Sequence, residues 1–481
     1  MEDITDVYMV NDPVAAQDTP IITFQGFVRT DIDLQPKVYT EAGYNESNDI
    51  RFRLERNENY HFINLNKAMF TGNVEFTLKR TTAAAVLAAN GIITLPWNSI
   101  AIFSEHIARI DTWNLYEQKQ YGLIGQILSY CRDEKSILDG LTWRLPSDRS
   151  AEVTREIAIA DNNTAITWVP TVGRQRVFTQ VVGADATWTL KIPTQFPIYS
   201  NLERAGNIPI YQFTAPLDLI WKLSPIANWL KISAAGTEAA ASWKVLSWKV
   251  TNPMLHIETF KAINGGTSLG GVLSNMPSKF LGTEYEPMSS QTLSLPSLTT
   301  TRWKTDWFSL WRNLKNVLFI PLLSGGGGIA DDKMLDRMPG ENIWFSTELN
   351  PDISDNVSEI QFQLASYNFP SQSPINSIQM GWKSLLTYLN KYDDNGVENM
   401  KCLSFDTWAK KLGVFGLDFS SLTQNPQIIS GINTLNSHLV STIKFRAQHV
   451  AHDAAVSVNI ITIYGRNVIY SIVGGSPIKT E

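Results

Sequence analysis

YGLIGQILSYCRDEK, Tyr121 to Lys135, and SIQMGWKSLLTYLNKY, Ser377 to Tyr392, are the two stretches whose reading decides the fold. In the first, Ile124, Ile127, Leu128 and Cys131 fall at the i, i+3, i+4, i+7 positions of one helical face. In the second, Ile378, Trp382, Leu385, Leu386 and Leu389 form a similar stripe. Each helix sits where two strand-rich runs meet, and the two halves of the chain run through the same order of signals. That order predicts a duplicated all-β module.

Around the helices the hydrophobic period drops from 3.6 to 2. Phe52 and Leu54 alternate with charged residues in RFRLER, Val74, Phe76 and Leu78 alternate in NVEFTLKR, and Ile443 and Phe445 alternate in STIKFRA. Half-buried strands have this pattern. The chain of 481 residues exceeds the size at which a single core stops growing, so two domains of roughly 200 residues are expected. With 43% hydrophobic and 18% charged residues there is apolar material for two cores. The 15 Trp, 15 Tyr and 21 Phe suit the inner faces of β-sandwiches.

A net charge of −6 gives no general excess of cations to neutralise phosphates, so direct binding along a nucleic acid is not favoured and any relation to a genome would be enclosure. Cys131 and Cys402 are the only cysteines, too few for a disulfide scaffold and too far apart for a zinc-finger spacing, which fits a reducing compartment. The opening MEDITDVYMVNDPVAAQDTP is acidic where a signal peptide is basic and then apolar, and no run of 18 apolar residues occurs. The sequence therefore predicts neither secretion by that route nor a membrane span.

Along the chain, residues 1 to about 45 read as an extended arm of the kind that reaches a neighbouring subunit. Strands follow in RFRLER, INLNKAMFTGNVEFTLKR and SIAIFSEHIARIDTW, interrupted by the Ala-rich loop TTAAAVLAANG. After the first helix come REIAIADN, AITWVP, ATWTLKIP and WKVLSWKVTNPMLHIETF, in which Val245, Ser247, Lys249 and Thr251 are expected on one face. The Gly-rich INGGTSLGGVL is the natural joint. The second half restarts with QTLSLPSL and NVLFIPLL and closes with HLVSTIKFRAQHV and AAVSVNIITIYGRNVIYSIV. Many short strands with Pro and Gly punctuation read as two sandwiches, and jelly rolls are one way to close such a set.

The segment DIRFRLERNENYHFINLNKAMFTGNVEFTLKR resembles the opening of the double jelly-roll major capsid proteins, and SIAIFSEHIARIDTWNLYEQKQYGLIGQILSY is similar to that family's next segment. The run Gly416 to Ser420 resembles its Asn-Phe-Ser passage, with Asp418 where Asn is usual, and the last strands resemble its closing strands. The Trp-rich WKTDWFSLWRNL has no counterpart there. The family spans virophages, Polinton-type elements, large nucleocytoplasmic DNA viruses and the adenovirus hexon.

The resemblance implies an all-β chain of two consecutive eight-stranded jelly-roll sandwiches with a short helix in each. It implies an arm at 1–45, a first jelly roll at 46–262, a linker at 263–286, a second jelly roll at 287–475 and a tail at 476–481. It also implies a structural protein of the virion, assembled inside the host cell, whose homotrimers tile an icosahedral shell around a DNA genome. Its partners would be copies of itself, penton and minor capsid proteins and an inner membrane or minor-protein layer, with no sequence-specific nucleic acid. No catalytic, cofactor or metal residues are assigned, and no cofactor is implied.

Other motifs read more plainly. SGGGGIADDK lacks the GK[ST] ending of a phosphate loop and reads as a surface loop. Asp331, Asp332 and Asp336 depart from calcium-loop spacing and read as solvated. His438, His449, His452 and Asp453 cluster near the end, but a strand over 442–448 would turn His449 and His452 to opposite faces or into a turn. Trp303, Trp307 and Trp311 would stripe a helix for a sugar or partner, or pack beneath the second sandwich, which is the reading adopted. Cys131 lies on the apolar face of a helix and reads as buried.

The rival from another class is a carbohydrate-binding or glycan-hydrolysing β-sandwich protein. It predicts a cleft with paired carboxylates and exposed, coplanar aromatics. The shell-tile reading predicts buried tryptophans. A penton or spike component, with its usual single jelly roll, does not match two halves.

Overall fold

The computed structural model describes residues 27–80, 89–94, 99–129, 155–158, 165–170, 175–180, 187–198, 207–226, 229, 231–234, 243–262, 279–287, 291–295, 302–308, 314–324, 357–364, 367–369, 374–375, 378–390, 415–418, 442–449 and 456–480. Strands are numbered in chain order. β1 (Phe27–Leu34), β14 (Trp243–Ala262), β3 (Phe62–Arg80) and β10 (Thr187–Pro197) bond side by side in that order, with β11 (Asn207–Ile208) also on β3. The facing sheet is β2 (Asp49–Leu54), β12 (Leu217–Leu223), β5 (Phe103–Ile110) and β6 (Trp113–Lys119). In the second half, β15 (Lys279–Pro287), β23 (Val456–Val473), β18 (Leu314–Ser324) and β21 (Phe415–Asp418) form one sheet, with β16 (Gln291–Leu295) and β24 (Ser476–Thr480) also on β23. The other is β17 (Arg302–Phe308), β22 (Thr442–His449), β19 (Val357–Leu364) and β20 (Tyr367–Phe369).

Counting the main strands of each half from first to eighth, both halves have sheet orders 1-8-3-6 and 2-7-4-5. That is the order of a jelly roll, two interlocked Greek keys. The expected pair of eight-stranded sandwiches is what the structure has. Each places its helix after the fifth strand: α1 (Tyr121–Ser129) follows β6 and α2 (Ile378–Asn390) follows β20.

Because all these pairs are antiparallel, odd-numbered strands of the eight run one way and even-numbered ones the other. The connections 1–2, 3–4, 5–6 and 7–8 therefore leave one end of the sandwich, here called the top, and 2–3, 4–5 and 6–7 leave the base. Strands β4 (Ala89–Thr94), β7 (Arg155–Ala158), β8 (Ala165–Pro170), β9 (Gln175–Gln180) and β13 (Lys231–Ala234) all arise from top connections of the first sandwich. They join into one further sheet, β13-β4-β9-β8-β7.

The first core is aromatic and bridges both sheets. Phe52 meets Trp221 edge-on at 5.6 Å, Phe70 stacks on Phe196 at 5.0 Å, and Phe103 stands edge-on to Phe70 at 5.2 Å. All five side chains are buried, each worth roughly 2–3 kcal/mol of apolar transfer. Phe52 and Leu54 point inward while Arg51 and Arg53 point out, as the alternation in RFRLER predicts. Helix α1 presses on the 3₁₀ turn Ser99–Ile102. A Cβ on Gly122 would lie 2.6 Å from the Phe103 carbonyl oxygen, so only glycine allows this approach.

The structure corrects several expectations. β1 lies within the stretch read as an arm, yet it pairs with β14 from Phe27↔Ala262 to Leu34↔Leu255 and is the first strand of the sandwich. β15 lies in the stretch read as a linker and β24 in the stretch read as a tail, and both are strands on β23. The Ala-rich loop ends in a strand, β4. A register shift between Val245 and Ser247 leaves Leu246 unpaired and exposed, which moves Val245 to the opposite face from Ser247, Lys249 and Thr251. Residues 302–308 form a strand of the second sandwich, in which Trp303 pairs with Ala447 and Trp307 with Ile443 in the register with β22.

Candidate assembly surface

The outer faces of the first sandwich carry charges neutralised in cross-strand pairs. On the sheet containing β12, Asp218 accepts hydrogen bonds from Arg53 Nε at 2.8 Å and from Arg51. Burial pushes the Asp218 carboxyl up, but the two guanidiniums outweigh it and hold it below the usual carboxylate range. Glu105 pairs with Lys222 at 2.7 Å. Burial raises Glu105 against the pull of Lys222, while the hydrogen bond from Glu105 holds its neighbour Glu117 down.

On the opposite sheet, Glu75 accepts from Thr251 Oγ1 at 2.8 Å and lies 3.1 Å from Lys191 Nζ and 3.6 Å from Lys249 Nζ. Glu258 takes Arg29 Nε at 2.7 Å and Asn64 Nδ2 at 3.0 Å. Alternation in the strands puts these charges on the outer faces, and cross-strand register pairs them, leaving Asp218 and Glu258 buried beneath their partners.

A cleft of about 350 Å³ opens at the top of this sandwich, lined by Asn45, Glu46, Ser47, Ile226, Leu246 and Trp248. Glu46 Oε1 accepts from the Ile226 amide at 2.9 Å and Trp248 Nε1 at 2.6 Å, so its carboxylate ties the β1–β2 connection to β14. The paired carboxylates Glu105 and Glu117 are elsewhere, on β5 and β6 in the sheet surface. This is not the cleft with two acids that glycan hydrolysis requires. Trp221, Trp229 and Trp248 are buried and Trp382 is half-buried, while Trp113 is exposed.

Among the described residues no group of three or more His, Cys, Asp or Glu side chains is placed to hold a metal, and no helix is long and apolar enough to cross a membrane. His449 closes β22. His438, His452, Asp453, Asp331, Asp332, Asp336, Trp311, Cys131 and Cys402 lie outside the described residues, as do residues 1–26 of the arm. Sequence reasoning missed the ion-paired Asp218, because LDLIWKL is apolar at five of seven positions and shows no clear alternation.

No known family pattern matches the chain, and no curated protein matches it in sequence. Solved structures do. PBCV-1 VP54, fitted into a cryo-EM reconstruction of the virophage Sputnik, is 12% identical with a TM-score of 0.52, covering 96% of this chain and 98% of that one. The Faustovirus major capsid protein is 8% identical at a TM-score of 0.51, covering 96% and 94%. The mavirus major capsid protein is 9% identical at 0.50, covering 97% and 93%. The likeness extends through both sandwiches in order, and this chain has the double jelly-roll fold of those capsid proteins.

Proposed function

We propose that the chain is a viral major capsid protein, a structural component of the virion shell with no catalytic role. The observation that carries this reading is the duplicated 1-8-3-6 and 2-7-4-5 sandwich, matched by capsid proteins over nearly the whole length of both chains. In the finer reading, three copies place six sandwiches around an axis, giving a nearly hexagonal tile for an icosahedral shell that encloses a DNA genome. Neighbouring trimers, penton and minor capsid proteins would be its partners, above an inner membrane or minor-protein layer. Paired charges on the outer sheet faces support contacts that are individually moderate and collectively strong.

Size-exclusion chromatography with light scattering tests the reading. The expected mass is three times the 53.9 kDa of one chain. A strictly monomeric protein at micromolar concentration overturns the tile.

A further inference from the structure

The two sandwiches touch at their bases. β14 ends at the base of the first and β15 begins at the base of the second, and β23 also ends there. β23 and β24 are joined through Gly474 and Gly475, with φ of 59° and 81°. The Gly475 carbonyl oxygen accepts the Thr214 amide at 2.8 Å and the Thr214 hydroxyl at 3.3 Å. Thr214 belongs to the connection between β10 and β12, so this bond crosses from the first sandwich to the last hairpin.

Positive φ asks for glycine at both turn positions, but space asks for it at one. A Cβ on Gly475 would lie 2.3 Å from Thr214 Cγ2 and 3.1 Å from the Gln212 carbonyl oxygen, whereas one on Gly474 would meet nothing within 4 Å. The hairpin is anchored to its own sandwich by Glu284 on β15, which accepts from Lys479 Nζ at 2.8 Å and from the Tyr470 hydroxyl at 3.1 Å. Beside it Phe280 stacks on Tyr470 at 5.1 Å and approaches Phe213 of the first sandwich at 6.5 Å.

We infer that the hairpin of β23 and β24 is a clasp that locks the bases of the two sandwiches together. The chain itself joins the two sandwiches between Ala262 and Lys279, and relative motion is the default for domains of one chain. A second attachment fixes the angle. This inference rests on the fold and not on the capsid reading, so the two can fail separately.

The test is hydrogen exchange on the full chain, read at the Thr214 amide, with small-angle scattering for the spread of inter-sandwich distances. Gly475→Ala should speed exchange at Thr214 by about tenfold or more and broaden the distance distribution, while amides of β5 and β12 stay protected. Gly474→Ala carries comparable backbone strain without the collision and should leave both readouts unchanged. Equal Thr214 protection in the two variants, or an unchanged distance distribution in Gly475→Ala, overturns the clasp. Should Gly475→Ala fail to fold, the double variant with Thr214→Gly, which removes the colliding side chain, is read instead. Recovery of wild-type protection supports the clasp and its absence overturns it.

Discussion

Acid should loosen the first sandwich through one side chain, His106. Its ring is fully buried, stacked on Trp221 at 4.1 Å, with Nδ1 3.0 Å from the Ile220 carbonyl oxygen. That contact makes Nδ1 the protonated nitrogen of a neutral ring, and Nε2 is buried with no hydrogen-bond partner among the described residues. Burial lowers the pKa to about 3 against the opposing pull of the Ile220 carbonyl. The unfolded chain takes up a proton near the ordinary 6.5, so stability is complete above that pH and is lost as pH falls below it. At about 1.4 kcal/mol per pH unit, the loss is roughly 2 kcal/mol at pH 5 and approaches roughly 5 kcal/mol near pH 3. Urea unfolding followed by tryptophan fluorescence at pH 7.5 and 5.0 measures it. His106→Phe keeps the stacked ring and removes the titrating group, so its loss between the two pH values should be smaller than wild type by about 2 kcal/mol. His61 also has a lowered pKa from burial and leaves a shallower slope in the variant. Identical pH dependence in wild type and His106→Phe refutes the reasoning.

Other perturbations have equally definite outcomes. Asp218→Asn leaves Arg51 and Arg53 without their shared carboxylate and should cost about 2 kcal/mol, the guanidiniums being partly solvated, as read by urea midpoint at pH 7. Because its carboxyl is held low, the Asp218 contribution persists above the ordinary carboxylate range and disappears as pH drops through the folded value; the variant should lack that acid step. Gly122→Ala drives a Cβ into backbone at Phe103 and Ala101, whereas Gly125→Ala meets side-chain atoms of Ile100, Cδ1 nearest, and no backbone among its three nearest atoms. Thermal unfolding should show the first costing about 2 kcal/mol and the second less.

The alternating stretches were legible because one face of each is buried. Phe52, Leu54, Val74 and Phe76 are all buried where the two-residue period puts them. Both helices were legible for the same reason, with α1 at Tyr121–Ser129 and α2 at Ile378–Asn390 inside the expected stretches. β12 was not. LDLIWKL is short and apolar at five of seven positions, which hides its alternation, and its polarity resides in Asp218 and Lys222, whose partners are 165 and more residues away or on another strand. The arm, linker and tail boundaries failed on a related point. Phe27–Leu34 carries three charges because β1 is an edge strand whose outward positions, Arg29, Asp31 and Asp33, are largely exposed and pair with one another or across to His256 and Glu258 on β14. Composition cannot separate such a strand from an extended arm, since the partner register with β14 lies more than two hundred residues away.

That register turns the arm into a test with two cuts. Removing residues 1–26 leaves all eight β1–β14 register positions in place, so the first sandwich should keep its melting temperature. Removing residues 1–40 takes away β1 and with it the cover over β14, including the Thr30 to Thr259 bond at 2.8 Å and the Arg29 ion pair that neutralises buried Glu258. Losing the Arg29 pair to buried Glu258 and leaving the β14 edge unpaired should cost about 3 kcal/mol or more, and it should expose a hydrophilic-to-apolar edge prone to pairing with other chains. A strand that only reached toward a neighbour would give the reverse pattern, with a stable protein after the longer cut and a deficit confined to assembly. Circular dichroism melts of the two truncated chains separate these outcomes, and equal melting temperatures would return residues 27–34 to the status of an arm.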